Sequence, residues 1–187
     1  QYEYKNSIEI QSNKLKTKYK LNKDNVIFSS KKSLIKNTVI NYEGEIDLNP
    51  FNLNLNIISQ KIDFNYFFKN LSLFNELLIS RLFFKKNLYA EININSDNIV
   101  KSKIFNKANL KINFQGGEIN LNDSIFYSDK IGTLRFKNSK FIVDENQLLF
   151  EGNSKLNIKD LNYFYKLFLI PKQKRFEFNS IDFLFRI

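Results

Sequence analysis

The chain has 187 residues, a formal net charge of +10 and 16% aromatic residues, yet no Cys, His or Met. Without histidine or cysteine there can be no disulfide, no thiolate or imidazole metal site and no Ser-His or Cys-His nucleophile pair. Twenty Phe and nine Tyr are enough to build a core, which excludes a wholly disordered chain.

The absence of Met, with Gln1 at the start, predicts a piece of a larger protein. No apolar run reaches the roughly 18 residues that cross a bilayer, and no signal peptide opens the sequence. The basic balance suggests phosphate partners, either nucleic acid or anionic lipid head groups. The lysines are thinly spread, however. Lys14, Lys16, Lys18 and Lys20 alternate with Leu15, Thr17, Tyr19 and Leu21, the pattern of a solvated strand face. The other dense group is Lys172, Lys174 and Arg175.

Period-two alternation predicts strands over residues 1–62, seen in Ile8-Glu9-Ile10, Leu15 to Leu21, Glu45 to Asn49 and Leu53 to Ile57. Over 63–87 the apolar positions Phe64, Phe67, Phe68, Leu71, Phe74, Leu77, Leu78 and Leu82 recur at threes and fours. This predicts a helical segment with Asp63 as N-cap. Strands resume over 88–159: Ile92 to Ile94, Leu110 to Phe114, Ile119 to Leu121, Leu134 to Phe136, Phe141 to Val143, Leu148 to Phe150 and Leu156 to Ile158. Asn22 to Asn25, Gly116-Gly117, Asp144 to Asn146 and Gly152-Asn153 punctuate the strands as turns. A short helix over 160–170, capped by Asp160 and ended by Pro171, precedes a final strand over 174–187. No Pro- or Gly-rich linker interrupts the sequence, so residues 1–187 read as one unit. The expected class is mainly β: an antiparallel meander with one longer helical insertion and one short helix near the C-terminus.

The carboxylates occupy alternating strand positions (Glu9, Glu45, Asp47, Glu91, Glu118) or turns (Asp24, Asp129, Asp144, Glu145). Such placement predicts solvated acids, no metal, no cofactor and no enzyme. Asp144-Glu145-Asn146 lacks calcium-loop spacing, and Gly116-Gly117 lacks the Lys-Ser/Thr of a phosphate loop. A long meander must still cover its apolar face, and two helices are few for so many strands. Either a second sheet packs on it as a sandwich, or the sheet curls into a trough holding something apolar.

The run Gly44-Glu45-Ile46-Asp47-Leu48-Asn49-Pro50-Phe51, leading through alternating strands into an apolar helix, resembles the later part of AsmA-like proteins. So do Gly117 to Leu121, Ile131-Gly132-Thr133-Leu134, and Asp160 to Pro171 with Lys172, Lys174 and Arg175 behind it. The resemblance spans roughly residues 40 to 187. It implies a fragment of an AsmA- or TamB-type bridge-like lipid transfer protein, anchored in the inner membrane of a Gram-negative bacterium through an N-terminal part. The fold it implies is a curved, β-taco-like open groove in the periplasm, carrying phospholipid acyl chains toward the outer membrane in outer-membrane biogenesis. The residues expected to contact lipid are Ile46, Leu48, Leu55, Ile92, Ile94, Ile112, Phe114, Ile119, Leu121, Leu134 and Phe136. The alternatives are a structural or adhesive β-sandwich without ligand and a basic nucleic-acid-binding domain. Nucleic acid is not expected, because most Phe occupy core-patterned positions instead of exposed stacking platforms.

Overall fold

The computed structural model describes residues 2–10, 13–35, 38–63, 87–145 and 147–187, and the alternating segments among them are strands. β1 (Tyr2–Ile10), β2 (Asn13–Leu21), β3 (Asn25–Ile35), β4 (Thr38–Leu48) and β5 (Phe51–Ser59) come first. β6 (Tyr89–Ser96), β7 (Lys107–Gln115), β8 (Glu118–Asn120), β9 (Ile125–Ser128), β10 (Gly132–Asp144) and β11 (Gln147–Ile158) follow. A helix, α1 (Leu161–Leu167), a 3-10 turn (Lys172–Lys174) and β12 (Ser180–Arg186) come after them. All twelve strands belong to one sheet, laid down in chain order, with β9 pairing both β7 and β10. The mainly β class is therefore as expected.

Short turns make this order. Asn22 N–H donates to Asn25 C=O at 2.9 Å, and Gly116-Gly117 join β7 to β8 at φ 63° and 84°, values that glycine adopts without steric cost. One step departs from the antiparallel expectation: β5 and β6 pair in parallel. A parallel pair needs a crossover of at least about a dozen residues, and residues 60–88 provide it. The helical segment expected over 63–87 falls on this crossover, and its residues 64–86 lie outside the described residues.

Gly152-Asn153 is not a turn. Leu148 to Phe150 and Leu156 to Ile158 are two ends of β11, just as Leu134 to Phe136 and Phe141 to Val143 are two ends of β10. A register shift between Lys137 and Lys140 keeps the two long strands paired. Gly152 faces that bulge, where a Cβ would lie 2.4 Å from Ser139 Cα. Further shifts interrupt β2–β3 and β3–β4. Each such bulge bends the strand and increases its twist.

Bulges leave backbone groups without ladder partners, and serine hydroxyls take up that role here. The fully buried Ser33 accepts from Lys16 N–H at 2.9 Å, where the β2–β3 register skips. Ser124 accepts from Lys111 N–H at 2.9 Å and can donate to Lys111 C=O at 3.2 Å, in the gap between β8 and β9 along β7. Ser139 reaches the carbonyls of Lys137 and Asn153, both at 3.0 Å. All buried polar residues among those described are serines.

Two corrections concern the C-terminal part. Asp160 caps α1 by accepting from Tyr163 N–H at 2.9 Å, as expected, but the helix stops at Leu167 and not at Ile170, with Leu169 left-handed at φ 53°. The strand expected over 174–187 begins only at Ser180. Residues before it fold back on α1: the Tyr165 hydroxyl bonds both the N–H and the C=O of Phe176. The Phe178 ring centroid sits 5.6 Å from Phe164 and 6.0 Å from Tyr165. This packing belongs to a small core of Ile131, Leu156, Phe164 and Tyr165, with a second around Phe114 and Ile119.

Candidate functional site: an apolar sheet face

Directly paired residues project to the same side of a sheet, so the register assigns every paired strand residue to one of two faces. From Tyr4–Tyr19 through Tyr19–Phe28, Phe28–Gly44, Gly44–Leu55, Leu55–Ile92 and Ile92–Ile112, one face continues across the ladder. It runs on through Phe114–Ile119, Ile119–Phe141, Phe141–Phe150 and Gly152–Phe185. No charged residue occupies a paired position on this face. The paired Lys, Arg, Asp and Glu lie opposite, among them Glu45, Asp47, Glu91, Lys111, Glu118, Arg135, Lys140 and Lys155.

Ten of the eleven residues expected to contact lipid are brought together on this face: Ile46, Leu48, Leu55, Ile92, Ile94, Ile112, Phe114, Ile119, Leu134 and Phe136. Leu121 lies one residue beyond β8, outside the paired register, with its N–H donating to Ser139 C=O at 2.8 Å. Sequence reasoning named Phe114 and Phe136 but missed the other aromatic residues of the same face. Tyr4 stacks on Tyr19 at 5.2 Å between centroids. Across β9 to β12 the rings of Phe126, Phe136, Phe150 and Phe185 form a chain of contacts at 4.9–5.8 Å.

Much of this face is open. Leu48 is 53% exposed, Phe51 40% and Phe183 42%, where the inner face of a sandwich would be dry. No second sheet lies on it among the described residues. α1 covers one end, over Leu134, Leu156, Ile158 and Ile181. Toward β3 to β6 the face hollows into a cavity of about 440 Å³, lined by Ile35, Ile40, Ile57, Ile94 and Val100, with Lys61 and Asp63 beside them. That volume is in the range of small-ligand sites.

The opposite face carries exposed ion pairs, Lys111–Glu91 at 3.7 Å and Lys140–Glu118 at 3.6 Å, each contributing about 0–1 kcal/mol. Among the described residues no group of three or more acids is placed to hold a metal ion. The chemistry this arrangement offers is apolar adsorption on one side and hydration on the other. No protein-family model matches the chain, and no curated protein or solved structure matches it either.

Proposed function

We propose that this chain is a non-catalytic segment of an AsmA-like, bridge-type lipid transfer protein. In this reading its uncharged sheet face carries phospholipid acyl chains through the periplasm between inner and outer membranes. Anchoring to the inner membrane comes from a part outside this sequence. The observation that carries the proposal is the strict division of the sheet, with no charge at any paired position on one face and the paired charges on the other. A soluble domain gains nothing by leaving so long an apolar face partly open unless something apolar lies against it.

Eleven strands lie on the main path of the sheet, and at about 4.8 Å per strand the face runs about 50 Å. One leaflet of a bilayer core is about 15 Å thick, so an acyl chain fits well within that length. Each buried methylene contributes about 0.8 kcal/mol, so ten methylenes half covered gain about 4 kcal/mol. That is enough to hold a chain out of water and weak enough to let it slide. Head groups stay at the rim, in water.

The test is site-specific photo-crosslinking in cells, with benzoyl-phenylalanine placed at neighbouring residues of one strand. Leu55 and Asn54 are adjacent but face opposite ways, as are Ile92 and Asn93. Phospholipid adducts are expected at 55 and 92 and not at 54 and 93. Equal labelling at all four, or none at 55 and 92, would refute the proposal.

A further inference from the structure

The segment following α1 exposes apolar side chains that the sheet does not account for. Leu169 is 86% exposed, Phe176 70% and Phe168 50%. They do not sit on a loose tail. The Tyr165 hydroxyl bonds the backbone of Phe176 on both sides, Arg175 Nε donates to Ile170 C=O at 3.0 Å, and Lys174 N–H donates to Pro171 C=O at 2.9 Å. The Arg175 guanidinium also stacks 5.1 Å from the Tyr165 ring centroid. The rings form a continuous row, Phe168–Phe164 at 4.6 Å, Phe164–Phe178 at 5.6 Å and Phe178–Phe176 at 5.1 Å. Residues 168–176 are thus a braced protrusion, and burying its tip costs little further ordering.

Charge around the tip is one-sided. From 159 to 178 there are five cations, Lys159, Lys166, Lys172, Lys174 and Arg175, against Asp160 and Glu177. Asp160 is engaged as the N-cap of α1. Among the described residues no carboxylate forms an ion pair with Lys166, Lys172 or Lys174.

We propose that residues 168–176 form a membrane-docking tip, which inserts Phe168, Leu169 and Phe176 into the interface of an anionic phospholipid bilayer while the surrounding cations meet lipid phosphates. Apolar insertion and cation attraction reinforce each other at such a surface. A protruding tip fits a bilayer without a complementary pocket. A protein partner fits less well, because lysine is depleted from interface cores and here it flanks the apolar residues closely. The inference does not rest on acyl chains occupying the sheet face; it concerns the exposed residues that follow α1.

The chain contains no tryptophan, so Leu169→Trp creates a single fluorescent reporter. With vesicles of phosphatidylglycerol and phosphatidylcholine, its emission should shift to the blue and be quenched by lipids brominated on their acyl chains. In flotation assays the full chain should bind these vesicles, and Leu169→Asn with Phe176→Asn, which leaves the charge unchanged, should weaken binding about 10-fold or more. Lys172→Gln with Lys174→Gln should weaken binding to the mixed vesicles and leave binding to phosphatidylcholine alone unchanged. An unshifted reporter, or an asparagine variant that binds like the parent, would overturn the proposal, since the net charge of the chain alone would then explain attraction. Capture of a protein in the absence of vesicle binding would overturn it too. None of these outcomes alters crosslinking at Leu55, so the failure of either proposal is recognisable separately.

Discussion

Placing a charge pair in the middle of the apolar face separates an open face from a covered one. Leu55 and Ile92 are opposite each other in the parallel β5–β6 pair and both are half-buried. Leu55→Asp with Ile92→Lys puts opposite charges at that position. Fully burying such an aliphatic side chain contributes about 1.5–3 kcal/mol, so half-burial puts about 2 kcal/mol at stake for the two together. Partial desolvation of two charges that neighbour each other adds about 1 kcal/mol. For a chain of this size, about 3 kcal/mol lowers the Tm by about 6–12 °C, leaving a cooperative transition. Were the face covered, each charge would instead cost several kcal/mol, together much of the 5–15 kcal/mol that holds a domain folded. A thermal melt followed by circular dichroism reads the difference, and mass spectrometry of the purified protein reads its lipid. An acyl chain that loses contact over about four half-covered methylenes loses about 1.6 kcal/mol, or about 15-fold in occupancy. Loss of the folded state in the double variant, or unchanged lipid in a folded one, refutes the reasoning.

Two further predictions concern the bulges. Ser124→Ala leaves the N–H and C=O of Lys111 without the hydroxyl they share, and should cost about 1–3 kcal/mol by denaturant titration, with Ser29→Ala on the exposed polar face as a control within about 0.5 kcal/mol. Gly152→Ala should destabilise by about 2 kcal/mol or more, because its φ of 153° and the contact a Cβ would make with Ser139 both resist a side chain. A melt unchanged from the parent would show that β10 and β11 can shift apart there at no cost.

How far the fold could be read from the sequence depended on phase. Leu53 to Ile57 and Leu110 to Phe114 alternate strictly with Asn and Lys, and both are strands with the expected side facing the apolar layer. β3 lies within the strand region expected over 1–62 but was not singled out there, because its phase breaks twice. Ile27 sits on the polar face between Val26 and Phe28, and the bulge between Ser30 and Ser33 then sends Leu34 to the polar face and Ile35 to the apolar one. β9, inside the strand region expected over 88–159, was likewise not singled out, since Ile125-Phe126-Tyr127 shows no alternation. Glycine misled at Gly152 and informed at Gly116-Gly117: the residue marks an unusual backbone or a close approach, and only the partner strand decides which. The segment from Arg175 to Asn179 alternates like a strand, but Phe178 packs on α1 and Phe176 is tied to Tyr165 before any ladder can claim them. The parallel step from β5 to β6 has no local signature at all, because pairing direction is a property of two segments.

The shared face was more legible than the strands that make it. Alternation within one segment fixes only that its apolar residues lie on one side; it says nothing about the side chosen by the next segment. The charges settle that. In β4, β6, β7 and β11 an ionised residue alternates with the apolar ones, as in Glu45-Ile46-Asp47, Glu91-Ile92, Lys111-Ile112 and Lys155-Leu156. A register slip of one residue would carry such a segment's charges into the apolar layer, at several kcal/mol for each one left without water or a partner. Adjacent strands therefore lock in phase pair by pair, and twelve local choices become one continuous face. The exceptions run one way only: the paired residues that break the pattern, among them Ile27, Leu34, Ile58, Ile125, Ile142, Leu149 and Leu184, are apolar side chains on the polar face. Exposure makes that error cheap at Ile27, Ile58 and Leu184, whereas Leu34, Ile125, Ile142 and Leu149 are half-buried among their neighbours; an apolar residue on the hydrated face costs far less than a charge in the apolar layer.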